Sequence, residues 1–301
     1  MRQKYQWFYG GGFAALAFLL TGCPPKPPAE LNTPGITPNG QPTNGQQTAA
    51  WNNDRAAMQL ALGNPNNAQK NESDRTNFLM QRPQYSLAYN DDNHTANWVS
   101  WHIGSDDLGT VERGKFAPDP DLPSGYYPVT PRDYTGSGFD RGHLCPSADR
   151  TGTYEDNDAV FSMINIVPQA PGNNQGPWKL LEEYGRNQVR SGKELYVVAG
   201  GAGRKGGKKG TIGKKVKIVV PETMWKVMVV MPEQSGNDLA RINSQTRVIA
   251  VMMPNVSSIK PDRWEKYRVS VADIERETGY TLLSNLPDNI ESDLKQKADD
   301  E

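Results

Sequence analysis

Asp140-Arg141-Gly142-His143 sets a carboxylate, a guanidinium and an imidazole on neighbouring positions, just after the glycines of Gly136-Ser137-Gly138. Pro146-Ser147-Ala148-Asp149-Arg150 follows at once. Neutral imidazole is the side chain best suited to taking a proton near pH 7. A guanidinium beside it is what a site that handles phosphate requires. The chain has three histidines, and only His143 sits in such a cluster. The plainer alternative is a structural histidine in a polar turn next to a surface Asp-Arg pair.

Downstream residues could complete a site. Asn173 and Asn174 lie in the Gly- and Pro-rich stretch Pro168–Trp178, ahead of a helix carrying Glu182 and Arg186. The amide oxygen of Asn174 can ligate a hard cation such as Mg2+ without neutralising it. Glu182 and Arg186 are four apart and share a helix face, where the glutamate could hold metal-bound waters. Read separately, the asparagines are ordinary turn residues and the charged pair a surface ion pair. Their order along the chain makes the set specific.

Apolar runs rich in β-branched residues must position these groups. Strands are expected over Asn97–Ile103, Phe161–Val167, Glu194–Gly200, Val216–Val220, Met224–Val230 and Arg247–Met253. Gly176–Ser191 reads as a helix with Leu180, Leu181, Tyr184 and Gln188 near one face, with Pro177 in its first turn and Gly192 closing it. A second helix spans Val269–Thr278, capped by Ser270 with Asp273 and ended by Gly279. Helices inserted among strands predict an α+β fold with a central, mainly antiparallel sheet. His102 is expected as a strand residue with a polar partner, and His94 as an exposed turn residue.

The chain's start carries an address. Arg2 and Lys4 precede an apolar run, Gly10–Leu20, too short for a bilayer span and suited to a signal peptide. Leu20-Thr21-Gly22-Cys23 resembles a bacterial lipobox, which makes Cys23 the lipidation site. We therefore expect a lipoprotein signal over 1–22, and a lipidated Cys23 with a Pro-, Gly- and Asn-rich tether over 23–54. A folded domain then covers 55–290, with a charged tail over 291–301. The address is extracytoplasmic, lipid-anchored to a membrane.

The formal net charge is -1, so no global basic field draws polyanions. Positive charge is local instead: Arg204, Lys205, Lys208, Lys209, Lys214, Lys215 and Lys217 crowd one Gly-rich segment. Two readings stand, a solvated hairpin loop or a sequence-indifferent contact with a phosphate backbone. Cys145, unpaired once Cys23 is lipidated, reads as a small packing residue rather than a metal ligand.

The residues quoted above resemble the DNA/RNA non-specific endonucleases, the ββα-metal family marked by a D-R-G-H motif, and among them the sugar-non-specific cyanobacterial enzymes. Asp140-Arg141-Gly142-His143 matches that motif in full, and the similarity runs from about Leu60 to Asn289. The resemblance implies that His143 is the general base and Asn174 the ligand of one Mg2+, for which Mn2+ could substitute. It implies that Glu182 fixes metal waters, while Arg113, Arg141 and Arg186 neutralise the phosphate and Asp140 organises the loop. Arg113 aligns only with a one-residue gap. Cys145 and the basic loop depart from the pattern. The implied substrates are DNA and RNA, and a protein inhibitor is a candidate partner. Two other readings are a membrane-tethered nucleic-acid capture protein without catalysis and a phosphodiesterase for an envelope substrate.

Overall fold

Alternation along three long strands divides the apolar side chains between two cores. In the computed structural model, which describes residues 54–301, these strands are β3 (Thr95–Ile103), β6 (Lys193–Ala202) and β9 (Thr223–Pro232). The signal, lipobox and most of the tether expected over 1–53 lie outside the described residues. Val99, Trp101 and Ile103 of β3, Leu195 and Val197 of β6, and Met224, Met228 and Val230 of β9 face one core. Trp98, Tyr196, Val198, Trp225, Val227 and Val229 face the other. A strand buried on both faces reads as a nearly unbroken apolar run, as β6 and β9 do, whereas β3 is legible by its alternation with Ser100 and His102.

The sheet has seven strands in the order β1-β2-β3-β6-β9-β10-β11, every neighbouring pair antiparallel. Its outer strands are β1 (Phe78–Gln81), β2 (Ser86–Asn90), β10 (Arg247–Pro254) and β11 (Arg268–Val269). Two separate hairpins complete the strands. β4 (Asp140–His143) pairs with β5 (Ile166–Gln169), and β7 (Thr211–Ile212) with β8 (Ile218–Val219).

Helix α1 (Tyr154–Val160) lies between β4 and β5, and α2 (Lys179–Arg190) follows β5. Leu181 and Val189 of α2 share the first core with Leu144, Phe161 and Val167, so β4, β5 and α2 form a layer on that face. Helices α3 (Val271–Thr278) and α4 (Asp288–Gln296) cover the opposite face through Val271, Ile274 and Leu294. The fold is α+β, as the sequence indicates. Among the described residues no helix is long and apolar enough to cross a membrane.

Three local expectations need correction. The run from Phe161 enters its strand only at Ile166, after a helical turn over Met163–Asn165. Asn165 is fully buried there, and its side chain bonds backbone instead of joining a ladder. Of Val216–Val220, only Ile218–Val219 is strand. Helix α2 begins at Lys179 because Gly176, at φ -109° and ψ -121°, breaks the preceding turn. The buried face of α2 is Leu181, Gly185, Arg186 and Val189, whereas Leu180 is exposed. Ser270 and Asp273 form the expected reciprocal cap of α3, and Gly279 ends it in the left-handed region.

Candidate active site

Pairing between β4 and β5 sets the motif residues opposite fixed partners. Asp140 faces Gln169, Gly142 faces Val167 and His143 faces Ile166. A Cβ on Gly142 would stand 2.6 Å from the Cβ of Gln169, so the strands approach this closely only with glycine there. Beyond His143, the side chain of Asn165 grips the backbone of Cys145 at both ends. Its Oδ1 accepts from the Cys145 N–H at 2.9 Å, and its Nδ2 donates to the Cys145 carbonyl at 2.9 Å. Cys145 is fully buried, and burial pushes its thiol up, so no thiolate forms there.

Asp140 joins the hairpin to the turn before α2. One of its oxygens accepts from Nδ2 of Asn174 and from Nε2 of Gln175, each at 2.8 Å. The nitrogen of the Asn174 amide is thereby committed, and its Oδ1 accepts no hydrogen bond among the described residues. The adjacent Asn173 is spent on structure. It is fully buried, accepts from Gln169 at 2.6 Å and donates to the Pro254 carbonyl at 2.9 Å.

Aromatic rings and unpaired cations frame His143. Phe161 meets the imidazole edge-on at 4.8 Å and Phe116 lies against it at 5.2 Å. The guanidinium of Arg113 sits 5.4 Å over the Phe161 ring, and that of Arg141 5.2 Å over Phe116. Nε2 of His143 is buried and has no hydrogen-bond partner, and neither does Nε of Arg141. Burial first, then the charge of Arg113, lowers the His143 pKa to about 3. The ring is therefore neutral in the free protein, with its lone pair intact. Neither Arg113 nor Arg141 forms an ion pair among the described residues.

Glu182 and Arg186 share a face of α2, but their partners are elsewhere. Oε1 of Glu182 lies 3.5 Å from Nζ of Lys226, a fully buried lysine of β9 held 4.1 Å over Trp178 and 5.5 Å over Trp101. Arg186, nine-tenths buried, bonds Asp149 at 2.9 Å, and Asp149 also accepts from the Trp101 indole at 3.1 Å. The surface ion pair is thus replaced by a buried four-charge cluster between α2 and the sheet. Burial raises the Glu182 pKa and lowers that of Lys226. Lys226, Phe116 and Phe161 were missed in the sequence. A lysine inside the apolar run Met224–Val230 was the available signal, because a charge on a buried strand needs a partner.

The other histidines lie apart from this layer. His102, Glu194 and Asp238 bring ligand atoms within 4.8 Å of one another, a spacing that could hold a metal. The guanidinium of Arg241 already bridges both acids, so the cluster holds its cation. Its strand residues alternate onto the opposite sheet face, His102 packing on Tyr196 at 4.8 Å. His94 is part-buried rather than exposed, in the left-handed region at φ 55° and 3.6 Å from Asp91.

If Lys226 exists to hold Glu182, Lys226→Met should cost about 3 to 5 kcal/mol by leaving a buried carboxylate unpaired. Adding Glu182→Gln should restore most of that loss in urea unfolding. A double variant no more stable than Lys226→Met would contradict the coupling.

Comparisons with known proteins agree with this layout. A family model described as DNA/RNA non-specific endonuclease matches residues 62–289. A nuclease from Nostoc sp. is 43% identical over 96% of this chain and 97% of its own. Human mitochondrial endonuclease G is 31% identical over 69% of this chain and 70% of its own. A crystal structure of the EndoG/EndoGI complex superposes with a TM-score of 0.64 at 20% identity, covering 78% of this chain and 94% of that one. With the motif, its hairpin and its helix in one layer, the chain belongs to the DNA/RNA non-specific endonuclease family.

Proposed function

We propose that the protein is a metal-dependent endonuclease that hydrolyses phosphodiester bonds of DNA and RNA without selecting sequence or sugar. The observation that carries this reading is the buried, partnerless Nε2 of His143 beside two unpaired arginines. That nitrogen can accept a proton from water aimed at phosphorus. Arg113 and Arg141 supply positive charge where the phosphate oxygens become more negative. A bound phosphodiester anion opposes the field of Arg113, which favours the imidazolium as it forms.

The donors on this layer fit a hard cation. Asn174 offers a neutral amide oxygen, oriented by Asp140, and Glu182 keeps Oε2 unbonded while Lys226 holds Oε1. Mg2+, or Mn2+ in its place, would be held by Asn174 with waters fixed by Glu182, and would supply a positive charge to the leaving oxygen. Asp140, which orients Asn174, would act as an organiser of the loop rather than as a metal ligand. The charge of Arg186 is already shared with Asp149, so Arg113 and Arg141 carry the larger part of phosphate neutralisation.

The roles assigned to these groups all act on the phosphodiester, so the chemistry requires neither a particular base nor a 2′ hydroxyl. Nuclease relatives and the neutral imidazole together favour cutting over capture. We further propose that Cys23 is lipidated and that residues 24–54 tether the domain outside the cytoplasm, on the strength of Leu20-Thr21-Gly22-Cys23. A protein inhibitor is a candidate partner, because the similar EndoG structure is a complex with EndoGI.

Supercoiled plasmid, single-stranded DNA and RNA should all be cut with Mg2+ and spared with EDTA. His143→Ala should lower the rate by about two to four orders of magnitude while strand binding persists. Near-wild-type cutting by that variant would remove His143 as the base, and binding without cutting in the parent would establish the capture reading. Separately, Cys23→Ala should move the protein from the detergent phase to the aqueous phase in Triton X-114 partitioning. Retention in detergent would contradict the lipid anchor.

A further inference from the structure

The basic segment does not splay into solvent as an isolated loop. Lys208, Lys209, Lys214 and Lys217 line one groove of about 520 Å³, whose other wall includes Ser137 and Phe139. Each of these lysines is exposed, and among the described residues none forms an ion pair. Gly207, at φ 66°, brings the loop onto the wall, since a Cβ there would stand 2.8 Å from the Phe139 ring. Asp133 is the one acid lining the groove, and its carboxylate is engaged by Thr130 and Tyr127. Four like charges held around one concavity repel one another, and among the described residues the one acid in the groove, Asp133, leaves most of that charge unbalanced. Such an arrangement is stabilised by a polyanion laid along it.

Its position says which polyanion. Phe139 immediately precedes β4, four residues before His143. At a strand rise of about 3.3 Å per residue, the wall begins roughly 13 Å from the imidazole, about four phosphates along one strand of a duplex. Resting on the nuclease reading above, we propose that this groove is a remote substrate site. It holds the phosphate backbone of the same nucleic-acid strand whose diester lies at His143. Lysine ammonium groups contact phosphate as point charges and read no base, so the site adds affinity for length without adding sequence preference.

The test compares a tetranucleotide with a 30-nucleotide single strand, for the parent protein and for a variant with Lys208, Lys209, Lys214 and Lys217 all changed to Ser. The substituted side chains are exposed and unpaired, and the tetranucleotide rate reports whether the site is intact. We expect tetranucleotide cleavage to be unchanged, while KM for the long strand rises about tenfold or more at physiological salt. The log–log salt dependence should flatten by about 3 if all four contacts are lost. An unchanged preference for the long strand overturns the groove and leaves the nuclease reading standing. An equal loss on both substrates also overturns it, because the lysines would then act at the chemistry. If the parent cuts neither strand, the nuclease reading falls and the groove with it. Phosphatidylglycerol vesicles bound by the parent and not by the variant, with long-strand kinetics unaltered, would assign the lysines to a membrane surface instead.

Discussion

The site depends on one carboxylate. Asp140 begins β4, and the amides of Asn174 and Gln175 that donate to it belong to the turn before α2. Without those bonds, the imidazole of His143 on β4 and the amide oxygen ahead of α2 would sit on elements free to shift independently. With them, the polarity of Asn174 is fixed: nitrogen inward to Asp140, oxygen available. Tolerances of about 0.5 Å matter for catalytic groups, and short charge-assisted bonds between rigid elements can meet them.

Electrostatics are arranged at two depths. Beneath the site, Glu182, Lys226, Arg186 and Asp149 neutralise one another among Trp101 and Trp178, which fixes α2 against the sheet. At the site itself, Arg113 and Arg141 lie over phenylalanine faces, with no acid pairing them among the described residues. Charge left unpaired in this way costs the fold something and serves only when an anion arrives. The same asymmetry recurs in the groove of Lys208, Lys209, Lys214 and Lys217.

Much of this was legible because periodicity and local chemistry agree over the central strands and at Ser270, Asp273 and Gly279. Where they failed, a polar side chain had a tertiary task. Asn165 interrupts an apolar run because its amide grips Cys145. Arg186 replaces an apolar residue on the buried face of α2 because Asp149 waits beneath it. Those partners lie 20 and 37 residues away, beyond any spacing rule. The order His143, Asn174, Glu182 was readable, whereas the phenylalanines that dry the imidazole and the lysine under Glu182 come from distant segments.

This frame holds His143 uncharged among arginines. Three histidines make its imidazole resonances assignable by difference against His143→Gln, so an NMR titration of the metal-free protein tests the claim directly. With a pKa lowered to about 3, the ring should show no titration between pH 8 and 5. A midpoint near the ordinary histidine value of about 6.5 would contradict the account.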